Sequence, residues 1–441
     1  MPRKGLEIAD ALALLEELPS DPESVISEDE SDGEGNTPLP PFPPAYGNIE
    51  DDGDDQSENG DINLPGLSRI ADVTWNKIQN VVKSVPEFSE DYGPTDEITS
   101  IEDAKPMDIF MAFFTAEFMD KLVFETNLYA TQKGKPFSPI TLQDMLKFLG
   151  INILMGIKKL PSYRDFWSTN EILNESYVAK QMAVKKFSWI LGNLHLNDNS
   201  LMPKREDRTF DKLYKVRPLL THLSERFDSL FRPGKNQSID ESMIRFKGRS
   251  SLKQYLPKKP IKRGYKVWMR CDESGYACKF EIYTGKTHEV EKNLSERVVK
   301  MLSEPLYGKN HRVYMDNYFT SYELFKFLET KNVFCCGTVN ITRKHLPKTL
   351  TEDKKLKRGD FDWAVSDDKI TCLKWKDKRC VTILSSLVDA VIPSTVERKE
   401  KTGQKIQIQC PKAIIDYNKN MGYVDYFDQL KSLYEIDRKR P

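Results

Sequence analysis

Apolar residues are spread unevenly along the chain and divide it into segments of different texture. Up to about residue 100 they are too sparse for a buried core. Ser, Asp, Glu, Gly and Pro dominate residues 20–63, so disorder is expected there. Two apolar islands interrupt this arm. Leu6, Ile8, Leu12, Leu14, Leu15 and Leu18 would line a short helix able to dock on a partner, and Trp75, in A-D-V-T-W-N-K-I, marks a segment expected to lie back on the folded body. From residue 104 the apolar spacing turns helical, beginning with D-I-F-M-A-F-F-T-A-E-F-M-D-K-L-V-F-E-T-N. Thr141, with Asp144 three residues on, reads as the N-cap of a following helix, and further helical patterns cover residues 163–169, 179–196 and 210–230. The aromatic stripe of Phe110, Phe113, Phe114 and Phe118 belongs to the core of this helical unit.

After Pro233 the period changes to two. Strands are expected at 237–246, 265–271 and 278–283, then a helix at 291–303, a strand at 311–316, a helix at 320–330 and a strand at 333–339. Three strands, helix, strand, helix, strand is the order of a ribonuclease-H-like α/β core. Residues 342–410 read as a β-rich insertion with strands near 361–365, 371–375 and 381–384, and a helix returns over 414–434 with Gly422 as its weak point. The expected division is a mostly disordered acidic arm (1–103), a helical domain (104–232), the first part of the core (233–341), the insertion (342–410) and the last helix of the core (411–441).

Charge sharpens this division. The 441 residues sum to a net charge of −1, but residues 1–100 hold 5 Lys/Arg against 24 Asp/Glu, and the remainder carries a net +18. An acidic arm before a basic body is the asymmetry of a nucleic-acid binder with a self-screening tail. The positive charge is densest between residues 231 and 270, where twelve Lys/Arg stand against Asp240 and Glu241 alone. The seven cysteines include no C-x-x-C pair and, with the five scattered histidines, show no zinc spacing, so no zinc is expected and reduced thiols in strands fit a reducing compartment. The first residues do not form a signal peptide, no apolar stretch approaches membrane-spanning length, and neither a phosphate-binding G-x-x-x-x-G-K-[ST] loop nor a G-x-S-x-G elbow occurs.

Two acids sit where metal-assisted chemistry would want them. Asp240 lies inside the first strand and Asp316 ends the fourth, and in such a sheet those strands are neighbours. Asp425 and Asp428 are three residues apart on the last helix and so share a face. Cleaving a phosphodiester requires an activated water and a stabilised leaving oxygen, which a pair of divalent ions held by short hard-oxygen ligands can supply. Glu241 and Asn317 adjoin these acids, but successive strand residues face opposite ways, so both are read as structural. Lys247, Arg249, Lys253, Lys258, Lys259, Lys262, Arg263 and Lys266, with Tyr255 and Tyr265 interleaved, are expected to track backbone phosphates, which gives affinity with little sequence information. The same K-K-P-I-K-R run is also of the kind that directs nuclear import.

The words around these residues add to the spacing. S-I-D-E-S-M-I-R-F-K-G-R-S, K-P-I-K-R-G-Y-K, M-D-N-Y-F-T-S and Y-N-K-N-M-G-Y-V-D-Y-F-D-Q, in that order, resemble the signature blocks of piggyBac-type transposases; so do Y-A-T-Q-K-G, L-G-I-N-I-L-M-G-I and K-V-R-P-L-L upstream. The resemblance runs from about residue 104 to the last residue. It implies a nuclear DDE-type enzyme that nicks double-stranded DNA at transposon ends and joins the freed 3′-hydroxyl at TTAA targets. It further implies Mg2+ (with Mn2+ as the alternative ion), a homodimer working on paired ends, and a helical domain serving dimerisation and DNA binding. Asp240, Asp316 and Asp425 match the family's catalytic aspartates: the first two as shared metal ligands, Asp425 on the second ion, and Asp428 as a further acid. Two departures stand out. Gly422 is followed by Tyr423 where the family has a second glycine, and the family's cysteine-rich zinc module after the last helix is expected to be missing. A catalytically silent, domesticated nuclear DNA-binding protein is the alternative that the expected loss of that module and the acidic arm support, and a partner-binding scaffold acting through residues 6–18 is a third.

Overall fold

The computed structural model describes residues 73–77, 83, 85–170, 172–173, 175–257, 259–285, 293–400 and 402–434. The apolar island at 6–18, the arm up to residue 72, Lys258 and the basic residues at 438–440 lie outside them.

Helical periodicity produces a first layer as expected, with two differences that local hydrogen bonds explain. Its main helices are α1 (Pro106–Phe113), α2 (Ala116–Gln132), α3 (Leu142–Ile157), α4 (Ser176–Gln181), α5 (Val184–Asn193) and α6 (Arg217–Leu230). Thr141 caps α3 in a full capping box with Asp144. The helix expected over 179–196 is broken between α4 and α5, because the Met182 carbonyl, in extended backbone, accepts a bond from the Trp167 indole at 2.7 Å. α6 starts only at Arg217. Before it, the carboxylates of Asp207 and Asp211 accept the backbone N–H groups of Thr209 and Leu213, both at 2.8 Å, and so hold turns instead of helix. Met119, Met145, Phe148, Phe166, Phe187 and Ile190 form the core of this layer. His222 and Arg226 on α6 bond the carbonyls of Phe113 and Ala112, tying α6 to α1.

The second half is a mixed sheet which, among the described residues, has ten strands. Its members are β1 (Trp75–Asn76), β2 (Asn236–Arg245), β3 (Arg263–Asp272), β4 (Ala277–Ile282), β5 (Arg312–Met315), β6 (Phe334–Thr338), β7 (Phe361–Ser366), β8 (Thr371–Lys376) and β9 (Cys380–Ser385), with the short bridge Gln254–Tyr255 on β3. The order is β1-β7-β8-β9-β6-β5-β2-β3, with β4 also paired to β3. β2, β5 and β6 run parallel, and every other pairing in the sheet is antiparallel. Strands from the segment read as an insertion therefore continue the central sheet through β9 and β6, while β10 (Pro393–Lys399) and β11 (Lys405–Pro411) pair as a separate hairpin. Trp75 does lie back on the body: β1 covers the β7 edge, and the indole donates to the His345 carbonyl at 2.9 Å.

Alternation assigns each strand residue to one of two faces. Ile239, Trp268, Val313, Met315, Cys335, Cys372 and Leu384 face α7 (Leu294–Ser303) and α8 (Tyr322–Glu329). The opposite face carries Tyr314, Phe334, Cys336, Leu373 and Ile383 against α9 (Lys412–Asn420), and Val267, Met269 and Cys271 against α10 (Tyr423–Ser432). The expected helix over 414–434 is thus two, α9 and α10, with Gly422 as the N-cap of the second. All seven cysteines are free thiols on strands.

Gly337 on β6 sits opposite Met315 on β5, and a Cβ there would lie 2.2 Å from the Thr320 hydroxyl and 2.7 Å from the Met315 carbonyl oxygen. Gly337→Ala is expected to cost about 1–3 kcal/mol, read by urea unfolding. Gly422→Ala, where a Cβ meets nothing within 4 Å, should cost no more than about 1 kcal/mol, the usual disadvantage of Ala at an N-cap.

Candidate active site

The parallel pairing of β2 and β5 aligns Ile239 with Met315, both on the α7/α8 face. The next residue on each chain is Asp240 and Asp316. Both must therefore turn to the other face, the one that α9 and α10 cover. Two carboxylates distant in sequence are brought together by one register, and both are half-buried. After Asp316 the chain turns sharply: the Tyr318 amide donates to Asp316 Oδ1 at 3.0 Å, the Thr320 hydroxyl donates to the Asp316 carbonyl at 2.8 Å, and Ser321 caps α8. Arg343 secures this turn by donating to the carbonyls of Asn317 and Tyr318 at 2.8 and 2.9 Å.

The third and fourth acids come from α10, which packs on β2 and β3. Asp425 lies in its first turn and is exposed. Asp428 is committed elsewhere: its Oδ1 accepts from the Ser242 hydroxyl and the Lys431 ammonium, each at 2.6 Å, and Lys431 also donates to Ser242 Oγ at 3.0 Å and the Met243 carbonyl at 3.1 Å. Hydrogen bonds to charged groups contribute roughly 1.5–3 kcal/mol each, so this cluster pins α10 to β2 and fixes where Asp425 stands.

Electrostatics link these groups. Burial pushes the Asp240 carboxyl up to about 8; Lys259 pulls it the other way, and the charges of Glu241, Asp316 and Asp425 add to the rise. Burial likewise lifts Asp316 to about 6, helped by Glu241 and opposed by the Tyr318 amide and Lys259. Lys259 Nζ stands 3.3 Å from Asp240 Oδ2 and 3.1 Å from the Glu241 carbonyl oxygen. Burial alone would lower the Lys259 pKa, but Asp240, Glu241 and Asp425 outweigh it and hold the ammonium charged. Glu241 turns to the α7/α8 face and pairs with Lys266 at 2.6 Å.

A divalent ion can be tested against this geometry. Asp240 and Asp316 are hard-oxygen donors whose proximity favours a cation, and they fit as two ligands. The full set is not assembled: among the described residues no three His, Cys, Asp or Glu side chains are grouped closely enough to hold a metal, and Lys259 already occupies Asp240.

The basic residues fall into three groups. Lys247, Arg249, Lys262 and Arg263 are exposed on or beside the loop joining β2 to β3. Lys253 is half-buried and donates to the Gly248 carbonyl at 2.9 Å. Lys259 and Lys266 turn inward to the acids, Lys266 also lying over the Tyr318 and Trp268 rings at 4.9 and 5.6 Å. The residues missed in sequence are Ser242, Lys431 and Arg343. Helical spacing from Asp428 could have flagged Lys431, and Ser242 shares its strand face with Asp240. Arg343 has no sequence signal, since only the fold returns it to the turn after Asp316.

A mixed sheet with two aligned carboxylates on one face is an architecture suited to phosphodiester chemistry. A family model described as Transposase IS4 matches residues 105–441. The chain is 30% identical over 419 residues to human PiggyBac transposable element-derived protein 3, covering 91% of this chain and 68% of that protein. It is 31% identical over 353 residues to human PiggyBac transposable element-derived protein 2, covering 76% of this chain and 58% of that one. The fold is similar to a piggyBac transposase solved by cryo-EM in a synaptic complex with hairpin DNA, with a TM-score of 0.67 and 28% identity over 80% of this chain and 72% of that one. The chain belongs to the piggyBac-type transposase family.

Because Asp240 and Asp316 keep protons at pH values where ordinary aspartates do not, an ion binding there must displace them. A divalent ion bound there would release protons at pH values up to about 8 and would bind more tightly as pH rises from about 6 to 8. Calorimetry in buffers of different ionisation heat reads this; a binding enthalpy that is the same in every buffer at pH 7 is the contrary result.

Proposed function

We propose that this chain is a nuclear DDE-type transposase, with a ribonuclease-H-like core, that cleaves and rejoins DNA phosphodiesters at transposon ends and TTAA targets. The observation that supports it most is the β2/β5 register, which turns Asp240 and Asp316 to one face beneath the helix carrying Asp425. In this reading Asp240 and Asp316 hold a divalent ion, Mg2+ or Mn2+, and Asp425, on the seated α10, completes the set once the β2–β3 loop settles on DNA. When bound, the ion would lower the pKa of an attacking water and offset charge building on the phosphate. The chain's own residues bind and orient. Lys247, Arg249, Lys262 and Arg263 track the phosphate backbone; Arg343 holds the turn that aims Asp316; Asp428, with Ser242 and Lys431, keeps α10 seated. Paired-end chemistry makes a homodimer the expected assembly, and no helix among the described residues is long and apolar enough to cross a membrane.

One observation favours a second reading. Lys259 on Asp240, with no assembled three-acid group, also suits a DNA-binding protein without turnover. A labelled duplex containing TTAA, incubated with the protein and Mg2+, separates the two. The transposase reading expects nicks with 3′-hydroxyl ends that fall to background in Asp316→Ala. Salt-sensitive binding that survives in Asp240→Asn, with no nicking by the parent at any Mg2+ concentration, would leave the binding reading standing. In either case Arg249→Ala is expected to weaken binding about equally across sequences and to lower the log–log salt slope by about 1.

A further inference from the structure

The β2–β3 loop contains two kinds of cation. Arg249 and Lys262 point to solvent, while Lys259, a few residues away in the same loop, turns in to the acids. We propose that Lys259 is a tethered cation that occupies Asp240 in the DNA-free protein and leaves it when the loop engages a duplex, so that DNA binding opens the carboxylate pair to a divalent ion. This rests on the proposed function and extends it from the identity of the site to its control.

Three observations carry the proposal. First, Lys259 Nζ lies 3.3 Å from Asp240 Oδ2 and 3.1 Å from the Glu241 carbonyl oxygen, so the ammonium sits against the oxygen that an ion would need. A divalent ion on the same oxygen would be repelled by it at short range, and the two occupants exclude each other. Second, Lys259 is the one of the two inward lysines that can leave. Lys266 is built into β3, pairs with Glu241 at 2.6 Å and lies over two aromatic rings. Lys259 is on a loop held by the two-residue bridge Gln254–Tyr255, the Leu252 side chain in the interior and a few backbone bonds such as Leu256 N–H to the Lys262 carbonyl at 2.9 Å. Third, Arg249 and Lys262 on that loop, with Arg263 at its end, face solvent where a phosphate backbone can draw on them. A duplex that moves the loop moves Lys259 with it, and the ammonium then gains phosphate in exchange for carboxylate. Coupling of this kind is reciprocal: a divalent ion on Asp240 would in turn tighten DNA binding by the same factor.

The test measures Mn2+ binding to the full chain by the loss of the free-ion electron paramagnetic resonance signal, with and without a mixed-sequence duplex, and needs no turnover. The parent is expected to bind Mn2+ weakly alone and roughly tenfold or more tightly with duplex. Lys259→Met should bind DNA-free at close to the duplex-bound affinity and lose the dependence on DNA. Lys259→Gln, which keeps a donor for the Glu241 carbonyl, should do the same and serves if the methionine variant does not fold. Lys259→Arg keeps a cation and should behave as the parent. DNA-free affinity in folded neutral variants no tighter than the parent's overturns the proposal. If Asp240→Asn still abolishes Mn2+ binding in the duplex complex, that failure leaves the metal site intact. No Mn2+ binding to the parent or the neutral variants with duplex present overturns this proposal and the transposase reading together.

Discussion

The parallel pairing of β2 with β5 is the constraint on which the rest of the site depends. With Ile239 beside Met315, period-two alternation sends Asp240 and Asp316 to the same face. A slip of one residue in either strand would send one carboxylate into the apolar layer under α7 and α8. That slip is opposed from the far face, where Ile239, Val313 and Met315 are fully buried with Leu324, Phe325 and Leu328 of α8. The face that carries the two carboxylates is held in register by the hydrophobic packing of the opposite face.

Bringing two acids together without an ion is unfavourable, and the surrounding residues show how the fold offsets it. The Tyr318 amide and the turn locked by Arg343 stabilise charge on Asp316. Lys259 does so for Asp240 and Lys266 for Glu241, so each acid on β2 has its own ammonium. Asp428 is neutralised by Lys431 and shares a proton donor with the strand below, so it acts as an anchor for the helix that presents Asp425. Burial still keeps the carboxyls of Asp240 and Asp316 well above the ordinary aspartate range, and the neighbouring acids add to the rise. The same stretch of chain therefore places exposed cations on the β2–β3 loop beside a pair of buried acids.

Particular elements show what could be read in advance. Period-two runs located β2 through β6 and period 3.6 located α7 and α8, because each buries one face and the burial imposes the pattern. The capping box at Thr141 was legible because its chemistry is local; Gly422 was legible as a weak point in one expected helix, but not as the boundary between α9 and α10. The split between α4 and α5 was not, since its cause is the Trp167 indole bonding the Met182 carbonyl, a contact that exists only after folding. The late start of α6 reflects Asx turns that compete with a pattern otherwise suited to helix. β11 alternates Ile406, Ile408 and Cys410 with polar residues, a signal missed in sequence, whereas β10 has Val396 as its one large apolar residue and gives little periodic signal.

By itself the sequence determined which residues carry charge, where the chain alternates, and which signature words place it beside piggyBac-type transposases. Those are properties of single residues and of their near neighbours. Only the tertiary structure decided that Asp428 holds a helix, that Lys259 and Lys266 face acids, and that Arg343 returns to the turn after Asp316. Each of these depends on which strands become neighbours and in what register, and a long-range pairing leaves no trace in the spacing of either partner alone.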